Sequence, residues 1–523
     1  MDPRLLKLYN SELQHVRDGG AEFAKEFPKI AGRLGMEGID VADPYVERLI
    51  EGFSFLAARV RLKIEAQYPR FTQNLLEIIY PNYLSPTPSM AVVEFTPDLQ
   101  EASLADGVVV PRNTVLRSHL AKGDRTACQY RTAQDVTLWP LELSEVSYFS
   151  SAGALSTIGV SDLQGVSAGI RLRFRAVGGI AFDELDLDSI RLALTGSGEM
   201  PMRLYEQIIG NGAALVVRPK GGAKQWQVRL DRSAIKRVGY TRDEALFPWG
   251  RRSFDGYRLL REYFAFPERF MFVEFGNLAN AIKRCGGTEL EIVVLLNRAD
   301  SQLENSISVK NFALNCTPAI NLFPRRADRI HLNEKSFEYH VVPDRTRPQD
   351  FEVYSVTGVQ GFGSSVDPEQ EFLPFYSTND RTRLDTELAY FTTYREPRLL
   401  SGKQKRKGSR TSYVGSEVYV GIVYGKEAPY RSDLRQLGIE TLCTNRDLPL
   451  QLALGIGNSD FTLESGAPVL AARCIAGPTL PLPAFAYGDV AWRLISHLSL
   501  NYLSLTDTDE QRGSAALREL LSL

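Results

Sequence analysis

The apolar period of this chain changes twice, from helical to strand-like near residue 90 and back near residue 485, and this switching constrains the fold more than any other feature. A helix buries one stripe, so its apolar residues recur at i, i+3, i+4 and i+7. A strand buries one face, so they recur at every second position. Over residues 1–89 the first pattern holds. Leu5, Tyr9, Leu13 and Val16 keep helical spacing, and a short second helical turn, AEFAKEFPKIAGRLG, follows before a glycine-rich break. The strongest helix opens at Asp43-Pro44, a capping side chain followed by proline at the first helical position, where the missing N–H costs nothing. Its stripe is Val46, Leu49, Ile50, Phe53, Leu56, Ala57, Val60 and Ile64, with Glu47, Arg48, Glu51, Arg59, Arg61, Lys63 and Glu65 on a mixed charged face. Phe71, Leu75, Leu76 and Ile79 predict a further helix, stopped by Pro81, and the proline-rich YPNYLSPTPSM reads as a linker.

From about Met90 to Phe323 the period is 2. In GIRLRFRAV, Ile170, Leu172 and Phe174 face one way and Arg171, Arg173 and Arg175 the other. LELSEVSYF, SIRLALTG, AALVVRPKG, WQVRL, RFMFVEF and TELEIVVLLN repeat the pattern with short turns between them, which predicts sandwich or barrel-like β domains. Short helices are expected near RLYEQIIG and LREYFAF. Residues 324–484 are again β-rich (FEVYSVTGV, SEVYVGIVY, LPLQLAL) and carry a basic loop, SGKQKRKGSR. Val490, Leu494, Ile495, Leu498 and Tyr502 return to helical spacing, and Arg512 to Leu523 reads as another helix. That helix stops at LRELLSL with no cap or polar tail, so the chain is read as cut short there. The expected fold class is therefore α+β and multidomain. It comprises an N-terminal helical region at 1–89, β-rich central domains at 90–323, a second β-rich domain at 324–484 and a C-terminal helical segment at 485–523. A chain of 523 residues has room for about three or four domains.

Lys and Arg total 61 against 63 Asp and Glu, a net charge of −2, which argues against a dedicated nucleic-acid binder with its basic excess. Five widely spaced cysteines form no CxxC pair, so a reducing compartment is expected, with each thiol a small buried hydrophobe. The N-terminus has no apolar signal core, and no run approaches the 18 or more apolar residues that cross a bilayer. The expected setting is soluble and cytoplasmic.

Chemistry is sparse. His331 and His340 are the closest histidines, and on a strand Glu338 and His340 share a face, as a metal or acid–base pair requires. Satisfied structural polar groups are the favoured reading. In FDELDLDS, Asp186 and Asp188 would share a strand face, as paired acids in glycoside hydrolysis would; a solvated strand edge is favoured over that. GSGEMP, GFGSSV and GIGNSD lack the third glycine of a phosphate-cradling loop. Lys403, Lys405, Arg406, Lys407 and Arg410 have no interleaved aromatics and read as a solvated loop. Arg325, Arg326 and Arg329 precede a strand and are expected to make interdomain ion pairs or partner contacts. No catalytic, metal or cofactor-binding residue is assigned.

Successive blocks of the chain, ELQHVRDGGAEFAKEFPKIAGRLGM, ADPYVERLIEGFSFLAARVRLKIE, LLEIIYPNYLSPTPSM, LREYFAFPERFMF, NLFPRRADRIHL and EYHVVPDRTRPQDFEVYSV, resemble those of the TssF family in the family's order. The C-terminal third follows it more loosely. The resemblance implies a non-enzymatic structural subunit of the type VI secretion baseplate wedge, similar to a contractile-phage wedge protein, on which the tail tube and sheath assemble. Its implied partners are TssG, a second TssF copy, TssK, TssE, the VgrG spike and tail components. It implies helices in an intertwined core bundle, β-rich wings, no cofactor, no nucleic acid, and membrane contact only through the assembled apparatus. Leu49, Phe53, Leu56 and Val60, with Arg325, Arg326 and Arg329, are the interface candidates. For the stripe from Val46 to Ile64 two readings stand: burial against a partner, or packing on the helix that contains Leu75 and Ile79. A β-rich carbohydrate-binding or carbohydrate-active protein, built around Asp186 or His340, is the alternative function.

Overall fold

In the computed structural model of the protein the described residues are 3–33, 43–120, 125–160, 164–220, 226–249, 254–304, 306–333, 335–364, 367–375, 389–398, 410–424, 430, 432–484, 488–500 and 518. They fall into two units: Met1–Leu84 with Phe485–Leu523, and Ser85–Ala484.

The first unit is helical: α1 (Pro3–Glu26), α2 (Pro28–Arg33), α3 (Pro44–Ile79) and a last helix, Gly488–Leu500. The cap of α3 is the expected one. The Asp43 carboxylate accepts from the Tyr45 N–H at 2.9 Å, with Pro44 at the first position. Asp43→Ala is therefore expected to cost about 1 kcal/mol, read as a lower urea midpoint by far-UV circular dichroism. An unchanged midpoint would mean that the Tyr45 N–H finds water as good a partner.

The expected break between the Val46 stripe and Leu75–Ile79 is absent: α3 is one helix of 36 residues that continues through Pro69. An interior proline costs about 3 kcal/mol. Burial on both sides of it offsets that cost, with Ser54 and Ala58 buried before it and Thr72, Gln73 and Leu76 after it. The stripe thus cannot pack on a separate Leu75–Ile79 helix. The expected helix from Arg512 to Leu523 lies outside the described residues apart from Arg518, as does Tyr502.

The second unit is all sheet with short helices. A closed six-stranded barrel joins Met90–Pro97, Cys316–Ile320, Gln129–Thr132, Val115–Ser118, Phe461–Leu463 and Val469–Ala476, around Tyr130 and Phe461. A sandwich follows. Its five-stranded sheet is ordered Val228–Asp231, Gly212–Pro219, Glu289–Leu296, Ala168–Ala176, Leu141–Phe149. Its four-stranded sheet runs Ile235–Arg237, Phe272–Phe275, Ile190–Leu194, Phe312–Ala313. The two share a core that contains Ile170, Leu172 and Phe174, the residues whose alternation announces the strand. On the other face Arg173 and Arg218 both pair with the buried Glu291 carboxylate at 2.8 Å. An eight-stranded sheet spanning Phe323–Tyr424 and Gln436–Thr444 encloses a separate core that includes Val420, Leu437 and Ile439. The two expected short helices are Met200–Tyr205 and Asp255–Ala265. Four of the five cysteines are buried, all are free thiols, and no helix of the described residues is long and apolar enough to cross a membrane.

Candidate partner interface

At 3.6 residues per turn, Leu49, Phe53, Leu56 and Val60 fall within about 60° of one another on α3, and Ser54 and Ala58 lie on the far side. The helix buries the far side. Ser54 and Ala58 are fully enclosed, Tyr9 of α1 meets Phe55 edge-on at 6.5 Å, and Arg17–Glu47 and Arg61–Glu12 pairs tie α1 to α3. Small side chains let the two backbones approach, which is why that side packs. The large apolar side chains are left outside: Leu49 is 74% exposed, Phe53 61%, Leu56 60% and Val60 60%. Tyr45 at 87% extends the same stripe toward the N-terminus. The Arg48–Glu51 pair at 2.6 Å lies on the same segment of α3. A row of four large hydrophobes in water is unusual for a finished surface and is what an unfilled interface looks like.

Arg325 and Arg326 close the strand Phe323–Arg326 of the eight-stranded sheet, and Arg329 lies in the connection to the next strand, Ile330–His331. Arg325 stacks over Phe351 at 3.9 Å and pairs with Asp344 at 2.7 Å; Arg329 lies over Phe362 at 3.6 Å. The Thr346 hydroxyl, with Arg325 beside it, holds the Asp344 carboxyl below the usual carboxylate range. Arg326, between them, is exposed.

The other candidates disperse. His331 pairs across its strand with Gln436, and His340 stacks on Tyr419 at 5.0 Å, with Glu417 at 3.8 Å. The histidines therefore belong to different strand pairs. Among the described residues no group of His, Cys, Asp and Glu could hold a metal ion. Asp186 and Asp188 are exposed and alternate with buried Leu185 and Leu187, in a segment that precedes the strand Ile190–Leu194. They line a groove of about 370 Å³ with Asp135, Trp139, Arg191 and Glu274. Several oxygens there are engaged: Asp188 accepts from Ala279 N, Asp135 from Arg112 N, and Glu274 from Arg191. Of the basic loop, Lys403, Lys405, Arg406 and Lys407 lie outside the described residues; Arg410 is held by Asp447 at 2.6 Å and Asp350 at 2.8 Å.

The chain matches, over residues 1–523, the family model described as Type VI secretion system, TssF. It is 55% identical over 524 residues to the type VI secretion system component TssF1 of Pseudomonas aeruginosa, covering 100% of this chain and 84% of that protein. Among solved structures it is similar to a chain of the type VI secretion system TssK-TssF-TssG baseplate subcomplex. The TM-score there is 0.63 at 26% identity, over 86% of this chain and 77% of that one. A chain of a type VI baseplate complex gives a TM-score of 0.49 at 24% identity, over 98% of this chain and 85% of that one.

Proposed function

Because the chain belongs to the TssF family and is a structural subunit of the type VI secretion baseplate, we propose that it builds the baseplate wedge by burying the outer face of α3 against TssG and a second copy of itself. The observation that carries this reading is the exposed row Leu49, Phe53, Leu56 and Val60, on a helix whose opposite side is already packed. Each such side chain contributes roughly 1.5–3 kcal/mol when buried, so four together make association strong enough to be obligate. In this reading residues 1–89 and 485–523 form the core-bundle region, 90–323 with the returning barrel strands Phe461–Leu463 and Val469–Ala476 the central domains, and the eight-stranded sheet of 324–484 a wing, with exposed Arg326 among its contact residues. TssK, TssE and the VgrG spike are the further neighbours. The role is mechanical and without catalysis: rigid β domains held at set angles nucleate the tail tube and sheath, in a cytoplasmic baseplate docked at the inner-membrane complex.

The test is the mass of this chain purified alone and after co-expression with its cognate TssG and TssK. A stable complex holding two copies of this chain per TssG is expected. A monomer indifferent to both proteins would refute the reading.

A further inference from the structure

The β-rich unit carries an exposed surface that the α3 stripe does not explain. Five aromatic rings run in contact there, with buried Phe270 as the floor between half-buried Tyr205 and Tyr240 on one side and exposed Tyr263 and Phe264 on the other. Tyr205, at the end of the helix Met200–Tyr205, meets Tyr240 hydroxyl to hydroxyl at 3.0 Å. Tyr240 packs on Phe270 at 5.0 Å, Phe270 on Tyr263 at 6.2 Å, and Tyr263 on Phe264 at 5.4 Å. The strip is anchored at one end, where burial and the neighbouring Tyr240 push the Tyr205 phenol well up, and open at the other. Phe264 is 62% exposed, Tyr263 47%, and Met202, one turn before Tyr205, 49%.

Two arginines lie on aromatic platforms in the same stretch of chain. The Arg237 guanidinium sits 4.8 Å from the centre of the Tyr240 ring, and Arg242 sits 4.5 Å from that of Trp249. Arg242 also has Asp255 at 3.7 Å. Arg237 is exposed and, among the described residues, has no ion-pair partner; the exposed Glu206 and Glu268 do not reach it. A guanidinium held flat on a ring keeps its N–H fork pointing outward in a fixed geometry, and a carboxylate meets such a fork with two parallel hydrogen bonds. Aromatic rings and arginine are also the side chains that carry most of the energy at protein interfaces.

Resting on the baseplate reading, we propose that the strip Met202–Tyr240–Tyr263–Phe264 with Arg237 docks a segment of another baseplate protein that presents a carboxylate beside an aliphatic or aromatic side chain. The carboxylate lands on Arg237 and the apolar side chain on Tyr263 and Phe264. Arg237 selects that chemistry: it is the cation of the strip without an ion-pair partner among the described residues, so a carboxylate completes it and a basic side chain placed there would meet like charge. The strip spans several elements, a footprint suited to a protein segment. This surface belongs wholly to the Ser85–Ala484 unit, so it is a second contact, independent of α3.

The test measures dissociation constants of the purified full-length chain for TssG and for TssK, each as a separate probe, with Arg237→Glu and Phe264→Ser. Both positions are exposed, so both variants are expected to melt as the unsubstituted chain does. The proposal expects each variant to weaken one and the same probe by about tenfold or more. Where that probe is TssK, Phe53→Asp should leave the constant unchanged; where it is TssG, the loss should add to the one Phe53→Asp causes at α3. Rising salt should weaken the unsubstituted contact more than that of Arg237→Glu. Constants within about threefold of the unsubstituted chain for either variant, against both probes, overturn the docking site and leave the baseplate reading standing. An unsubstituted chain that holds neither probe overturns both.

Discussion

Glu262→Gln is expected to destabilise the β-rich unit by about 3–5 kcal/mol, a large share of the stability of an ordinary domain. Glu262 is fully enclosed and uses both carboxylate oxygens. One accepts from the Leu246 and Phe247 N–H groups at 3.0 and 3.1 Å; the other accepts from Arg258 at 3.1 Å and pairs with Arg269, itself fully enclosed. Burial, with the like charge of Arg258 adding, pulls the Arg269 pKa down to about 9, which still leaves it cationic at neutral pH. Glutamine keeps the shape but removes the negative charge between two buried guanidinium groups. Arg258 would keep Asp255 at 2.8 Å, whereas Arg269 would keep only the Glu244 carbonyl at 2.8 Å and the Phe270 ring. The glutamine N–H₂ must also face either two backbone donors or a cation. Urea titration checks the size of the loss. Adding Arg269→Met should recover much of it, because replacing both members of a buried pair is far milder than orphaning one. A Glu262→Gln chain with an unchanged midpoint would mean that the carboxylate contributes packing and no charge compensation.

That cluster also marks where sequence reading stops. In RLLREYFAFPERF, Arg258 and Glu262 stand four residues apart on a helix, the spacing of an ordinary solvated ion pair. Only the tertiary return that brings Arg269 onto the same carboxylate makes the pair a core element. Local signals were legible where the physics is local. Asp43-Pro44 announces the start of α3 because a cap needs nothing beyond its own turn, and Ile170, Leu172 and Phe174 announce a strand because the pleat alternates faces whatever lies opposite. Barrel closure was not legible. Met90–Pro97 pairs with Cys316–Ile320 and with Val469–Ala476, and no short window of sequence contains either pairing. The α3 stripe was legible as a stripe but not as an exposed face, since apolar periodicity reports what must be covered and is silent on what covers it. The small side chains Ser54 and Ala58 were the overlooked signal, a second and narrower face suited to close helix packing. Tyr263 and Phe264 were passed over for the opposite reason, because two adjacent aromatics at a helix end fit neither period.

Phe53→Asp is expected to leave the isolated chain folded and to abolish its assembly. With the ring 61% exposed, substitution removes little internal packing, so the unfolding free energy should move by no more than about 0.5 kcal/mol. In the assembled wedge the same substitution loses roughly 1.5–3 kcal/mol of apolar burial and places a carboxylate where no polar partner awaits it, which costs several kcal/mol more. Together these amount to at least about a thousandfold in affinity, enough to empty the complex at ordinary concentrations. Ala58→Asp supplies the contrast. It puts the same charge on the same helix, but on the enclosed side against α1, so it should unfold the helical unit and give insoluble protein whether or not TssG is present. Soluble, folded Phe53→Asp that elutes without TssG, beside insoluble Ala58→Asp, would assign the two faces of α3 to assembly and to folding respectively. Phe53→Asp that still assembles would remove the stripe from the interface, and insoluble Phe53→Asp would place the ring in this chain's own core. The contrast works because helix periodicity puts residues 53 and 58 on opposite sides of one cylinder, so a single charge can reach one function without touching the other.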